Sequence, residues 1–329
     1  MALWTIASLF LLCTLAIVIT GSRLAYYGDV IAERSGLGQA WVGVIAMASV
    51  TSLPELVTGV TASLIGAPEI AVGDIVGSCL FNLLLLGALD LASPTPLLNR
   101  LRPVHTLSAA LGALLLCLLA ISVLTAPRWP ALGWIGWSSP LLFGVYLLAV
   151  RALFLFEHRH DQVTDENLLA ERYADLSLRT AVWRYLGAAV LLVIAAANLP
   201  PLAVQLAEAT GLAQGFVGTA FVALSTSLPE IVVSLTAMRL GAWDLAAANV
   251  LGSNLFNVAI VAIDDLAFTG GPLLLHVSNG HAVTALGAAT MSIVVIAGLV
   301  VKPKPLAGRF TMSMMTLLAI YLVTTWLAF

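Results

Sequence analysis

Long apolar stretches alternate with short polar breaks along nearly the whole chain. Ten of them reach the length of a membrane crossing: 3–21, 37–64, 69–92, 104–126, 134–156, 181–207, 211–239, 243–268, 281–301 and 306–328. A helix needs about 20 predominantly apolar residues to cross the hydrocarbon core. The pattern therefore predicts an all-α integral membrane protein with about ten transmembrane helices. The longest polar segment, 157–180, separates residues 1–156 from 181–329 and leaves five spans on each side. The first apolar stretch does not read as a signal peptide. It has no basic leader, and its first arginine, Arg23, follows the apolar run.

The two halves share a repeat. Thr51-Ser52-Leu53-Pro54-Glu55 recurs 175 positions later as Thr226-Ser227-Leu228-Pro229-Glu230. The match runs without a gap from 36–91 to 211–266. It aligns Gly36-Leu37 with Gly211-Leu212, Gln39 with Gln214, Gly43 with Gly218, and Gly66-Ala67 with Gly241-Ala242. Gly77-Ser78 and Phe81-Asn82 align with Gly252-Ser253 and Phe256-Asn257, and Asp90-Leu91 with Asp265-Leu266. Each copy places one glutamate inside an otherwise apolar stretch.

Composition removes the soluble alternatives. Hydrophobic residues make up 60% and charged residues 9%, with a mean hydropathy of +1.03; a soluble domain is about 25% charged. No basic cluster with interleaved aromatics suggests nucleic acid. Cys13, Cys79 and Cys117 all fall in apolar stretches and read as reduced small residues. The five histidines fall in loops or at span ends, where no special role is expected of them. Glu69 and Asp244 open their spans, where the helix dipole favours an acid. With the N-terminus outside, 13 of the 14 Lys and Arg residues fall on the cytoplasmic side and only Arg128 lies outside. The positive-inside rule selects this orientation, with both termini outside and 157–180 as a cytoplasmic linker. Five spans per half then insert the second half upside down, as two inverted five-helix repeats.

The repeated segments carry the candidate chemistry. Pro54 and Pro229 each lack an amide hydrogen, which frees the carbonyls near Val50 and Ser225. At membrane depth such breaks are tolerated only against protein or a wet cavity. Thr51, Ser52 and Glu55 share a helix face, as do Ser78 and Asn82 on the next span. The second copy offers Thr226, Ser227, Glu230, Ser253 and Asn257. All are oxygen donors, the set that suits Ca²⁺ and Na⁺ rather than softer metals. Taken singly, Gly-Ser pairs also fit close helix packing, a proline also fits a plain kink, and a buried glutamate also fits a structural hydrogen bond. Two glutamates at equivalent positions behind the same Thr-Ser-Leu-Pro point instead to an ion site between two repeats.

At these residues the chain resembles the cation/calcium exchanger superfamily, specifically its sodium/calcium exchanger branch. The resemblance rests on the Thr-Ser-Leu-Pro-Glu stretches and on the Gly-Ser-x-x-Phe-Asn stretches 27 residues beyond each glutamate, and it covers the whole chain. It implies a secondary antiporter in the cell membrane, not an enzyme, working by alternating access. It makes Glu55 and Glu230 the central Ca²⁺ ligands, completed by Asn82 and Asn257. Thr51, Ser52, Ser78, Thr226, Ser227 and Ser253 would hold Na⁺ or Ca²⁺ together with backbone carbonyls near Ala48 and Ala223. About three Na⁺ per Ca²⁺ would make exchange electrogenic, with spans one and six as a sliding gate. Transported Ca²⁺ and Na⁺, the lipid bilayer and no resident cofactor are expected, and the monomer is expected to function alone. Some relatives carry Asp where Asn257 stands, which argues against K⁺ coupling. Proton-coupled relatives show a Gly-Asn-x-x-Glu stretch that is missing here, which favours Na⁺.

Asp74 departs from the repeat, since Asn249 stands at the equivalent position. It lies in line with Ser78 and Asn82, about 12 Å along the helix from the latter at 1.5 Å per residue. It is expected to line an external access path, the plainer alternative being a helix-start acid. H⁺/Ca²⁺ exchange, Mg²⁺ or Mn²⁺ in place of Ca²⁺, and a cation channel with the glutamates as a selectivity ring stand as competing readings.

Overall fold

A computed structural model describes residues 2–34, 48–93, 95–128, 130–160, 176–239, 241–302 and 311–328. Its long helices are α1 (Leu3–Arg34), α2 (Leu53–Leu64), α3 (Pro68–Ala92), α4 (Val104–Thr125), α5 (Ser138–His160) and α6 (Leu178–Thr210). There follow α7 (Gln214–Thr226), α8 (Leu228–Arg239), α9 (Trp243–Ala267), α10 (Gly280–Val301) and α11 (Met312–Ala328). Among the described residues, seven helices are long and apolar enough to cross a membrane, or eight if the bent pair α7–α8 is one crossing. The chain is a multi-pass, almost wholly helical membrane protein. A two-stranded ribbon, Ala131–Leu132 against Ile135–Gly136, is the one departure from the all-α expectation among the described residues.

Burial sorts the helices into core and rim. In the most apolar windows of α3 and α9, 89% and 83% of residues are buried, against 22% for α1 and 17% for α5. The two central helices lie side by side, and both carry repeat residues. The rim helices face outward with leucines, isoleucines and tryptophans such as Trp4, Trp183 and Trp326, which is where apolar surface belongs when lipid is the solvent. α1 and α6 pack along each other more extensively than any other pair of helices.

Two helices are longer than their apolar runs suggested. α1 continues past residue 21 to Arg34, and α6 begins at Leu178. The polar ends stay helical because they keep packing. Tyr27 and Val30 on α1 are buried, and Val30 lies in one cluster with Ala181 of α6. The expected linker 157–180 is helical up to His160 and from Leu178; residues 161–175 lie outside the described residues, as do 35–47 with Gly36, Leu37, Gln39 and Gly43.

The repeat is visible in the turns. Gly66 and Gly241 end α2 and the α8 segment at φ +75° and +76°, a left-handed conformation that costs glycine least. In both, the residue after the glycine donates back over the turn, Ala67 N to Ala62 O at 2.8 Å and Ala242 N to Ala237 O at 2.9 Å. This is the Schellman pattern, and it lets α3 and α9 fold back directly against α2 and α8.

Asp90 and Asp265, which the repeat aligned, end the two core helices in the same way. Asp90 accepts from Leu97 N and, at 2.6 Å, from Thr311 Oγ1. Asp265 accepts from Leu273 N at 2.6 Å, from Gly136 N at 2.8 Å and from Ser139 Oγ. Each carboxylate thereby pins a short 3₁₀ turn, Leu97–Asn99 or Leu273–His276, under its core helix. A buried donor stripped of its acceptor costs about 1–3 kcal/mol. Asp265→Ala strands three donors and Asp90→Ala two, so both should lower the thermal midpoint of detergent-solubilised protein, Asp265→Ala by more. Midpoints unchanged within about 1 °C would contradict this reading, since 1 kcal/mol shifts Tm by about 2–4 °C at this size.

Candidate cation site

The site is built on two helix breaks. Ser52 and Ser227 sit between helical segments at φ −86°, ψ 11° and φ −84°, ψ 1°, a sparsely populated bridge conformation. Pro54 and Pro229 follow two residues later and remove the amides that would bond Val50 and Ser225. The axis turns by 40° between α7 and α8. A π-helical stretch, Gly218–Val222, precedes the second break. The bend points the last turn of one segment and the first turn of the next at the same spot, where α3 and α9 cross them.

The acids and hydroxyls expected at the site from sequence meet in one buried cluster, while the amides Asn82 and Asn257, buried on the adjoining core helices, have Asn254 and the Cys79 thiol as their neighbours. Thr51, Ser52, Glu55, Ser78, Asn82, Thr226, Ser227, Glu230, Ser253 and Asn257 all have 0% exposure. The contacts are reciprocal between the repeats. Ser52 Oγ donates to Glu230 Oε1 at 3.3 Å, and Ser227 Oγ donates to Glu55 Oε1 at 3.1 Å. Thr51 Oγ1 lies 3.3 Å from Ser253 Oγ, and Thr226 Oγ1 lies 3.5 Å from Ser78 Oγ. The carbonyl of Ala48 accepts from Ser52 N at 3.1 Å, and that of Ala223 from Ser227 N at 3.0 Å. Both carbonyls therefore end the helical turn just before each break, beside the hydroxyls.

What the cluster leaves open defines its chemistry. Among the described residues, Glu55 Oε2, Glu230 Oε2 and Asn82 Oδ1 have no hydrogen-bond partner, and Asn257 has only the weak thiol of Cys79 beside it. No Lys or Arg among the described residues pairs with either glutamate; the ion pairs lie at helix ends. Unpaired carboxylate and amide oxygens in a dry interior are costly, and hard cations are what such a set binds. No group of three His, Cys, Asp or Glu side chains that could hold a metal occurs among the described residues. The oxygens instead come from two carboxylates, amides, hydroxyls and backbone. A small, mostly apolar cavity lies beside Ala48 and Gly252, between Ser108, Tyr146 and Ala248.

Three residues stand where the sequence reading did not put them. Asp74 does not line an open vestibule in this conformation: it is fully buried and accepts from Thr226 Oγ1 at 2.8 Å. The repeat explains the geometry, because Thr51 Oγ1 makes the equivalent bond to Asn249 Oδ1 at 3.1 Å. His105 and His281 are buried and paired, not idle span ends. His105 Nε2 lies 2.8 Å from Asp244 Oδ1, and His281 Nε2 lies 2.7 Å from Glu69 Oε2. Glu69 and Asp244, in the first turns of α3 and α9, thus serve as anchors to α10 and α4 as well as dipole partners.

Asn254 was not anticipated. It accepts from Asn82 Nδ2 at 3.0 Å and donates to the Cys79 carbonyl at 3.1 Å, so it fixes the rotation of the Asn82 amide, whose Oδ1 has no partner among the described residues. The repeat hid it, since Cys79 occupies its counterpart position. Asn254→Ala removes two neutral hydrogen bonds, and the one that holds Asn82 is worth about 1 kcal/mol. Cation affinity, read by calorimetry on the purified protein, should fall by about fivefold with the fold retained; an unchanged affinity would exclude this positioning role.

Comparison with known proteins completes the picture. The family model described as sodium/calcium exchanger protein matches residues 5–154 and 180–329. A protein of Alkalimonas amylolytica named as an antiporter, CaxA, is 31% identical over 267 residues, covering 78% of this chain and 79% of its own. Inner membrane protein YrbG of Escherichia coli is 28% identical, covering 77% of each. Sodium/calcium exchanger MaX1 of Methanosarcina acetivorans is 26% identical, covering 78% and 81%. Structures of the sodium-calcium exchanger NCX_Mj share the fold; the one soaked with 100 mM Na⁺ and 10 mM Sr²⁺ superposes with a TM-score of 0.64 at 22% identity, over 98% of this chain and 97% of that one. With the family model matched over both halves and the repeated motifs gathered in one buried cluster, the chain belongs to the sodium/calcium exchanger family of membrane cation antiporters.

Proposed function

We propose that the chain exchanges Na⁺ for Ca²⁺ across a cell membrane by alternating access, without a resident cofactor and as a monomer. The observation that carries this reading is the reciprocal pair Ser52–Glu230 and Ser227–Glu55, with the second oxygen of each glutamate left open. Two carboxylates balance one Ca²⁺. In this reading Glu55, Glu230, Asn82 and Asn257 hold Ca²⁺ at the centre. Na⁺ ions flank it, one side formed by Thr51, Ser52, Ser253 and the Ala48 carbonyl. The other is formed by Thr226, Ser227, Ser78 and the Ala223 carbonyl. Both ions use the same glutamates, so each excludes the other. An empty site leaves two bare carboxylates in a low-dielectric medium, and that cost blocks the return stroke.

The described helices fit a ten-crossing arrangement. The sequence span 37–64, described from residue 48, would be one crossing broken before α2, as α7 and α8 would be another, and α11 would be the last. The two five-helix halves would be inverted, with both termini outside and 157–180 cytoplasmic, an orientation supported by the basic residues. In it, the cavity beside Ala48 lies in the cytoplasmic half. About three Na⁺ per Ca²⁺ would make the cycle electrogenic, with Ca²⁺ export as the physiological direction.

Uptake of ⁴⁵Ca²⁺ into proteoliposomes tests the reading, with Na⁺ and H⁺ gradients imposed separately. Uptake should follow the Na⁺ gradient, respond to an imposed potential worth about 2.3 kcal/mol per charge per 100 mV, and need no K⁺. Uptake driven equally by a pH gradient without Na⁺ would overturn the coupling. Glu55→Gln or Glu230→Gln removes half the core charge and should abolish uptake in a protein that still elutes as a folded species; near-normal transport by either would refute the site. Asn257→Asp adds a carboxylate beside the two glutamates and should alter ion selectivity or make transport more sensitive to pH than in the unmodified protein.

A further inference from the structure

One acid in the interior has no part in the reading above. Asp264, on α9, is fully buried, and neither carboxylate oxygen has a hydrogen-bond partner among the described residues. Its neighbour Asp265 takes the structural bonds. The Asp264 oxygens face the backbone of Gly59 on α2 and are the nearest atoms to where a side chain at that position would begin. Asp74 lies within electrostatic reach of both Asp264 and Glu55, and its Oδ2 is also unpartnered among the described residues.

These groups occupy one side of the glutamates. Gly59 is one turn past Glu55 on α2, about 6 Å at 1.5 Å per residue. α3 returns antiparallel to α2 through the Gly66 turn, so Asp74, one turn before Ser78, is displaced in the same direction. The other side has no counterpart. The repeat places Leu89 opposite Asp264, Asn249 opposite Asp74, and Ser234 opposite Gly59. There Asn249 Nδ2 donates to Ser234 Oγ at 3.1 Å, and the polar atoms satisfy each other.

We propose that Asp264, seated against Gly59, and Asp74 form a second divalent-cation subsite that Ca²⁺ occupies between the external surface and the central glutamates. The subsite rests on the exchanger reading and on its orientation. Two carboxylates there match the charge of one Ca²⁺, as the two glutamates do at the centre. Gly59 is required because any side chain would stand in the subsite. The acids give the exchanger a high-affinity step on one face only, so its two faces differ although the repeats that build them are alike.

Initial rates of ⁴⁵Ca²⁺ transport, measured with uniformly oriented protein and Ca²⁺ varied on one face at a time, test the proposal. Asp264→Asn should raise the external KM by about tenfold, the effect of losing 1.4 kcal/mol of binding, and change the cytoplasmic KM by less than about twofold. Gly59→Ala keeps all the charges and fills the space, and it should produce the same one-sided loss; if Asp264→Asn does not fold, this variant decides. Asn249→Ala, at the position equivalent to Asp74, should not raise the external KM. Active variants with both KM values unchanged, or shifted equally, overturn the subsite and leave the exchanger intact. Failure of the unmodified protein to move Ca²⁺ against Na⁺ overturns the exchanger reading itself.

Discussion

Carboxylates without a cationic side chain, held in the interior of a membrane protein, are the constraint on which the rest of this structure depends. Glu55, Glu230, Asp74 and Asp264 are fully buried, and no Lys or Arg among the described residues pairs with them. An isolated charge in such surroundings costs several kcal/mol or more even after relaxation. The neighbouring sequence reads as a response to that cost. Serine hydroxyls supply donors to one oxygen of each glutamate. Proline breaks expose carbonyls in the same place. What remains uncompensated is a small set of oxygens, and under the proposed function a cation meets their need.

The duplicated architecture solves the placement problem once and uses it twice. Equivalent elements do equivalent work: the breaks at Ser52 and Ser227, the turns at Gly66 and Gly241, the anchors Glu69–His281 and Asp244–His105, the buttresses at Asp90 and Asp265. These hold α3 and α9 at fixed depth and rotation, so the glutamates from α2 and α8 meet hydroxyls from the opposite repeat. The symmetry is not carried through the polar interior. Asp74 faces Thr226 where Asn249 faces Thr51, and Asn254 stands where its partner position is Cys79. The frame keeps the two-fold; the chemistry along the axis does not.

How much of this was legible in the sequence follows from which signals are local. The fold class came from uninterrupted apolar runs, and the central cluster from a motif repeated at fixed spacing; both are one-dimensional patterns. Helix ends were less legible, because α1 beyond residue 21 is polar in sequence and helical only through packing on α6. The histidine pairs were invisible for a different reason. Their partners lie 139 and 212 residues away, and a histidine at a span end looks the same with or without one. Asp264 was masked by its neighbour Asp265, which matches Asp90 in the repeat. Asn254 was masked by Cys79. In both cases alignment of the repeats drew attention to what the halves share, and the missed residues are those in which they differ.

Symmetry of the frame also bears on how the site can open. α1 and α6 pack on each other and meet the core chiefly along the broken helices α2 and α8, with a smaller contact on Ile70 and Ala71 at the start of α3. Thr14 Oγ1 on α1 donates to Ser225 Oγ at 2.9 Å, at the carbonyl that Pro229 frees, and a Cβ on Gly21 would lie 2.7 Å from Pro229 Cγ. Thr58 Oγ1 on α2 donates to the Ala196 carbonyl of α6 at 3.3 Å, one turn from Glu55. A shift of the α1–α6 pair along the core would therefore act first on the segments that present the glutamates, before it disturbed α3 or α9. The buttressed core helices carry the amides Asn82 and Asn257, while the broken helices carry Glu55 and Glu230. In the proposed reading, the ligands would be divided between a fixed half and a half that the outer pair can pull, and an ion bridging the two would set the free energy of that movement.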